Sequence, residues 1–245
     1  MKKNYGVFDK SIFIGAFLSG SLAGTVFAQT SISLPRPHIE TPNDQTPRRL
    51  TPITGYTLAL GWSPEYCRGK TTRAADAYQC GSGHFFGITL HGLWPEGRQG
   101  VYPQYCRETT LLPSTIINKM AEITPSAQIL QHEWAKHGSC MTTKPEEYFA
   151  RASAMFRSLH WPDMNKLASD PDLTAGQFSA AFAAVNHDID PKAVKVITAR
   201  RNWLSEIWIC YDLDFKSKIC DRDPTALPPE AKIKLKPGFQ LRPTY

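Results

Sequence analysis

No Cys-x-x-Cys pair occurs in this chain, so neither a zinc ribbon nor a thioredoxin-like redox centre has support. No internal repeat is present, and only the two ends carry proline-rich stretches, which leaves the middle to one domain. The long apolar run at the N-terminus, SIFIGAFLSGSLAGTVFA, is interrupted by Gly15, Gly20 and Gly24 and is short for a bilayer-spanning helix. Charge is only mildly one-sided: 28 Lys and Arg stand against 22 Asp and Glu, for a net +6. That balance permits a polyanionic substrate without requiring one.

Instead of an anchor, the first residues have the order of a secretory leader. The basic stretch MKKNYGVFDK precedes the apolar run, and Val26-Phe27-Ala28 puts small residues where a signal peptidase wants them, so cleavage is expected after Ala28. Removing residues 1–28 takes away three lysines and one aspartate and leaves 217 residues at +4, enough for one domain with a sizeable core. An exported location is expected, periplasmic or secreted, with no membrane contact once the leader is gone. The six cysteines, at 67, 80, 106, 140, 210 and 220, are an even number in a chain bound for an oxidising compartment. They read as disulfides, with fifteen pairings open.

Residues 29–52 hold five prolines and little that could be buried, and are expected to form a mobile lead-in to a single domain at 53–245. Within it GYTLALGW, HFFGITLHG and NWLSEIWICYDLDF read as strands. EEYFARASAMFRSLHW, TAGQFSAAFAAV and the stretch near 112–122 read as helices. The last residues, from about 224, are expected to wrap the surface without regular structure. Segregated helices and strands predict an α+β fold around a central antiparallel sheet packed with helices.

Two stretches carry chemistry. In HEWAKHGSC, residues 132–140, an α-helix at about 100° per residue would hold His132, Lys136, Glu133 and His137 within an arc of about 140°, with Trp134 and Ala135 on the opposite, inward side. A zinc-protease pattern needs a second histidine four places after the first. Here Lys136 stands there, and a cation in a ligand position argues against a metal. In ITLHGLWPEG, residues 88–97, alternation turns His91 away from Ile88 and Leu90, and Gly92 and Pro95 are expected to end the strand just past it.

The pair HGLWP and HEWAKHGSC closely resembles the two active-site segments of the ribonuclease T(2) family, base-nonspecific and metal-independent endoribonucleases. The resemblance extends from about Tyr56 to Asp212 and includes EIWICYD. It implies an α+β fold and an enzyme that cleaves single-stranded RNA by transesterification, through a 2′,3′-cyclic phosphate to 3′-phosphate ends. By the same match His137 is the general base, His91 the general acid and His132 the phosphate holder, while Lys136 and Glu133 stabilise the transition state and keep His137 oriented. Two imidazoles suit this chemistry, since an unperturbed pKa of about 6.5 lets one be neutral and the other charged near neutrality.

The resemblance also implies a Cys106–Cys140 bond; proximity adds Cys67–Cys80 and Cys210–Cys220. Trp94 would stack on a nucleobase, with Glu96 and Tyr102 at base-contacting positions. No cofactor and no metal are implied, the partner is RNA, and a monomer is expected. Departures from the family pattern are Ile129, Leu130 and Gln131, where an aromatic is frequent, and Ser139 in place of a common threonine. His38, His84, His160 and His187 match no catalytic position. The rival reading is a catalytically weak RNA- or nucleotide-binding relative, set apart by the loss of the proton-transfer residues, all of which are present here.

Overall fold

A computed structural model describes Met1 and residues 34–81, 85–221 and 225–237; the leader, its cleavage point after Ala28, and His84 lie outside them. Four strands, β1 (Gly55–Trp62), β2 (Ile88–Glu96), β3 (Val194–Thr198) and β4 (Leu204–Tyr211), pair antiparallel in the order β2-β1-β4-β3. The short strand β3, VKVIT, was not anticipated from the sequence. Its alternation matches its register, with Val194 and Val196 set opposite Ile209 and Ile207.

One face of the sheet is core. Leu58, Leu60, Leu93, Ile207 and Ile209 are fully buried there beside Leu90 and Val196, each removing about 1.5–3 kcal/mol worth of apolar surface from water. The other face carries Thr57, Ala59 and Gly61 on β1 and Glu206, Trp208 and Cys210 on β4, paired residue for residue. Small side chains along β1 leave a trough between the larger ones of β2 and β4.

Helices cover the core side: α1 (Ser114–Met120), α2 (Ala127–Glu133), α3 (Pro145–Arg157) and α4 (Ala175–Ala184). Their starts follow local rules. The Ser126 hydroxyl accepts from the Ile129 N–H and opens α2. Pro145 with Glu146 and Glu147 opens α3. Thr174 and Gln177 form a reciprocal capping box at α4. Tyr148, Phe149 and Ala152 are the buried stripe of α3.

Two local expectations are corrected. Strand β2 does not stop after His91 but runs through Gly92 and Pro95 to Glu96. It absorbs the change by a bulge: Ala59 pairs with Gly92 and Leu60 with Leu90, so His91 is the extra residue without a partner on β1. The bulge resets the alternation, so that Leu90 and Leu93, three apart, both reach the core while His91 and Trp94 face the trough. HEWAKH, in turn, is not one α-helix. Helix α2 ends at Glu133, and Trp134–Gly138 continue as a π-helical turn before Ser139–Met141 resume α geometry.

The described part of the lead-in has no regular structure, yet it is tied to the domain. Arg49 and Gln104 exchange backbone hydrogen bonds of 3.0 Å each, and the Arg48 guanidinium donates to Cys106 O. Its composition supplies no core of its own; Leu34 packs against the core of the body, and the other ties are mainly hydrogen bonds to backbone and polar side chains there. Near the other end, Ile233 and Leu235 are buried beside the isolated bridges Thr174–Lys232 and Trp203–Lys234. The three disulfides are Cys67–Cys80, Cys106–Cys140 and Cys210–Cys220.

Candidate active site

A cleft of about 660 Å³ lies over the trough face of the sheet, bounded by β2, the π-helical turn and the loop at 97–102. His91, His132, Glu133, Lys136, His137, Trp94, Glu96 and Tyr102, from segments up to 46 positions apart in the chain, all line it.

The π-helical turn explains the second segment. An α-helix would leave His132 and His137 well around the cylinder from each other, because five residues overshoot one 3.6-residue turn. A π-turn is wider, so positions five apart lie over one another, and the two rings stand 6.1 Å apart, edge to face. Trp134 and Ala135 fall on the buried side as expected. Gly138 lets the turn close, since a Cβ there would stand 2.6 Å from Trp134 and 2.8 Å from Tyr148.

Glu133 is 1 % exposed. Its Oε2 accepts a hydrogen bond from Trp94 Nε1–H at 2.8 Å, and the Tyr148 hydroxyl lies 3.5 Å from the same oxygen. Its Oε1 has no hydrogen-bond partner and faces His91 Nε2 at 3.5 Å. No hydrogen bond joins Glu133 to His137, so the carboxylate orients Trp94 and faces His91 rather than holding His137. Gly92 makes room for it: a Cβ there would collide with the Glu133 carboxylate. Burial raises the Glu133 carboxyl above its ordinary value, although His91, His132, Trp94 and Lys136 all oppose this.

The imidazoles stand in contrasting fields. His91 donates from Nδ1 to Glu206 Oε1 at 2.9 Å, and Trp208 Nε1–H donates to the other oxygen of Glu206 at 2.7 Å. Burial alone would lower the His91 pKa, but the Glu206 hydrogen bond and the charges of Glu133 and Glu206 outweigh it and raise the value to about 8. His137 is 5 % exposed, and its Nδ1 has no hydrogen-bond partner. Burial, then the positive charges of Lys136, His132 and His91, push its pKa well below the ordinary imidazole value. Aromatic contacts hold the ring instead, with Trp94 stacked at 5.5 Å and Tyr102 tilted at 6.2 Å. The surroundings therefore favour the charged form of His91 and the uncharged form of His137.

Trp94 is the hub. It meets His91 edge-on at 5.3 Å, Trp208 edge-on at 5.1 Å and His137 nearly face to face. Tyr102 carries the Arg49 guanidinium 5.4 Å over its ring. Ser139 accepts from Cys106 N–H at 3.1 Å and donates to Ala135 O at 2.8 Å, which fixes the end of the turn beside the disulfide. Leu130 is core and Gln131 bonds to Leu112 N–H and Thr110 O, so neither takes the place of an aromatic in the cleft wall. His38 pairs with Gln128 and His160 with Asn186 through their backbones, away from the cleft.

Sequence reasoning missed Glu206, Trp208 and Tyr148 as site residues. A signal was present for the first two: in EIWICYD a carboxylate and a tryptophan alternate with Ile207 and Ile209 along one strand. For a metal, His132, Glu133 and His137 bring donor atoms within 4.8 Å of one another. One Glu133 oxygen is already bonded to Trp94, His132 Nδ1 is bonded to Glu40, and the Lys136 ammonium adds positive charge beside the cluster. That donor set fits a cation poorly.

In this antiparallel α+β domain, the cleft over the open sheet face gathers three imidazoles, two carboxylates and a lysine from the sheet, α2 and the π-helical turn. The sequence model of the Ribonuclease T2 family matches residues 54–220, and the chain belongs to that family. It is 31% identical to a probable ribonuclease of Haemophilus influenzae over 69% of this chain, and 39% identical to a ribonuclease of Aeromonas hydrophila over 40%. These matches span 61% and 42% of the relatives' own lengths. The structure of RNase NT, solved in complex with 5′-AMP, shares the fold at a TM-score of 0.59 and 20% identity, covering 77% of this chain and 100% of that one.

Proposed function

We propose that this chain is an exported, metal-independent endoribonuclease that cleaves single-stranded RNA with little base specificity. The observation that carries the reading is the opposed state of two imidazoles on one cleft: His137 uncharged, His91 charged and backed by carboxylates. His137 takes the proton of the 2′-hydroxyl, and the 2′-oxygen attacks the adjacent phosphorus. As the bond to the 5′-oxygen breaks, His91 supplies that oxygen with a proton. His132 and Lys136 hold the phosphate oxygens through the transition state, and Glu133 faces the charged His91 and fixes Trp94. Water then opens the 2′,3′-cyclic phosphate to a 3′-phosphate with the two histidines exchanging roles.

The lowered pKa of His137 makes it available but weakly basic in the free protein. A bound phosphodiester anion counters the surrounding cations and moves it back toward neutrality, which strengthens the base when substrate is present. Glu206 holds the acid's ring by Nδ1 and leaves Nε2 to give the proton. Trp94, with Glu96 and Tyr102 beside it, offers a stacking surface open to any base. Three disulfides suit an oxidising compartment, and among the described residues no helix is long and apolar enough to cross a membrane.

The test is direct. The chain without residues 1–28 is incubated with RNA and with DNA of the same sequence in EDTA, beside His137→Ala. RNA alone should be cut, with a cyclic phosphate appearing first, and the variant should be nearly inert. Cleavage that disappears with EDTA, or persists undiminished in the variant, overturns the reading.

A further inference from the structure

The stretch at residues 34–54, almost wholly outside the family-matched region, makes contacts that concentrate on parts of the molecule bearing site residues. His38 N–H donates to Gln128 Oε1 on α2 at 2.9 Å, on the helix that leads into His132. Arg49 donates to Tyr102 O at 3.1 Å and covers its ring. Thr54 N–H donates to Glu96 O at 2.8 Å. In the middle of this strap Glu40 reaches the site itself: its Oε1 accepts from His132 Nδ1 at 2.6 Å and from the Tyr105 hydroxyl at 2.9 Å. Tyr105 is anchored in turn, its N–H donating to Lys136 O at 2.8 Å.

We propose that Glu40 is a positioning residue for His132, so that the anion-holding part of this site is completed by a strap lying ahead of the family domain. The inference rests on the ribonuclease reading for what His132 does, and on geometry for how Glu40 acts. An ionised carboxylate only accepts hydrogen bonds, so the His132 nitrogen facing it carries its proton on Nδ1, and Nε2 is the nitrogen left for a phosphate oxygen. The terminal torsion of a histidine is otherwise broad and nearly two-fold, and an untethered ring would present either nitrogen. Tyr105 fixes the carboxylate from a second direction, which ties the tether to the same loop that carries Cys106 and, through it, the disulfide to Cys140. Nothing in HEWAKHGSC itself could supply this acceptor, because Glu133 is turned inward to Trp94.

The experiment compares Glu40→Ala and Glu40→Gln with the unaltered mature chain, reading inorganic phosphate affinity by calorimetry alongside kcat and KM on a dinucleoside phosphate. Loss of a hydrogen bond to a charged group weakens phosphate binding and kcat/KM in Glu40→Ala about tenfold. Glu40→Gln, which keeps an oxygen acceptor, recovers most of the loss. Added to His132→Ala, Glu40→Ala costs nothing further, because the two act as one unit. Unchanged phosphate affinity in Glu40→Ala, or an equal loss in the His132→Ala background, overturns the proposal. Should the unaltered chain fail to cut RNA, the ribonuclease reading falls, while the phosphate titration still decides whether Glu40 acts through His132.

Discussion

His91 and His137 flank the same tryptophan, with ring centres 5.3 and 5.5 Å from it, yet they stand in opposite fields. His91 is the extra residue of a strand bulge and faces two carboxylates, Glu206 on the neighbouring face of β4 and Glu133 on α2. His137 is buried in a π-helical turn whose charged neighbours, Lys136, His132 and His91, all raise the cost of protonating it. The two residue types are identical, so the difference is entirely one of placement. One backbone irregularity aims each ring, and burial together with the charges around it sets which one holds a proton.

That contrast can be broken in descending steps. Replacing either ring removes one side of it: His137→Ala or His91→Ala should lower kcat/KM on RNA by about 10²–10⁴-fold, each measured on protein with a native melting profile. Cutting the bond that anchors the π-helical turn to the 101–106 loop comes next. The double variant Cys106→Ser, Cys140→Ser opens a loop with a sequence separation of 34, and chain entropy puts the loss near 3–4 kcal/mol by chemical denaturation. Gly92→Ala forces a methyl against the Glu133 carboxylate and should cost about 1–3 kcal/mol of stability, with activity falling as Trp94 loses its partner.

The finest test moves one field without removing a ring. The proposed mechanism needs His91 charged and His137 uncharged, so kcat/KM should rise with pH through the lowered His137 value, stay level, and fall as pH passes about 8. In Glu206→Gln the carboxylate that holds His91 Nδ1 is gone while the Glu133 charge stays, so the alkaline fall should move down from about 8. The acid limb should hardly move, because Glu206 is not among the groups that set His137. An alkaline limb that stays at 8 would show that Glu206 does not govern the acid.

The parts of the fold that depend on local pattern were legible. Strand β1, bounded by glycine, and the helix over TAGQFSAAFAAV followed from local pattern, and the two chemical segments announced themselves by residue type. The short strand β3 was passed over because five residues flanked by polar turns carry little periodic signal by themselves. His91 was read as a strand end because Gly92 and Pro95 look like stops. In the sheet Gly92 is instead the gap into which Glu133 fits, a requirement set by a residue 41 positions away.

What the sequence determined by itself was the inventory: an even set of cysteines, three imidazoles with a glutamate and a lysine in two recognisable segments, and enough apolar alternation for one sheet with helices. Local rules of propensity, capping and period suffice for that. Only the tertiary structure decided which histidine is charged, because pKa depends on distances to Glu206, Glu133 and Lys136 and on burial, none of which has a fixed sequence offset. The same holds for Glu40. A carboxylate in a proline-rich lead-in is unremarkable in sequence and becomes part of the site only because the strap lies against α2 and Tyr105.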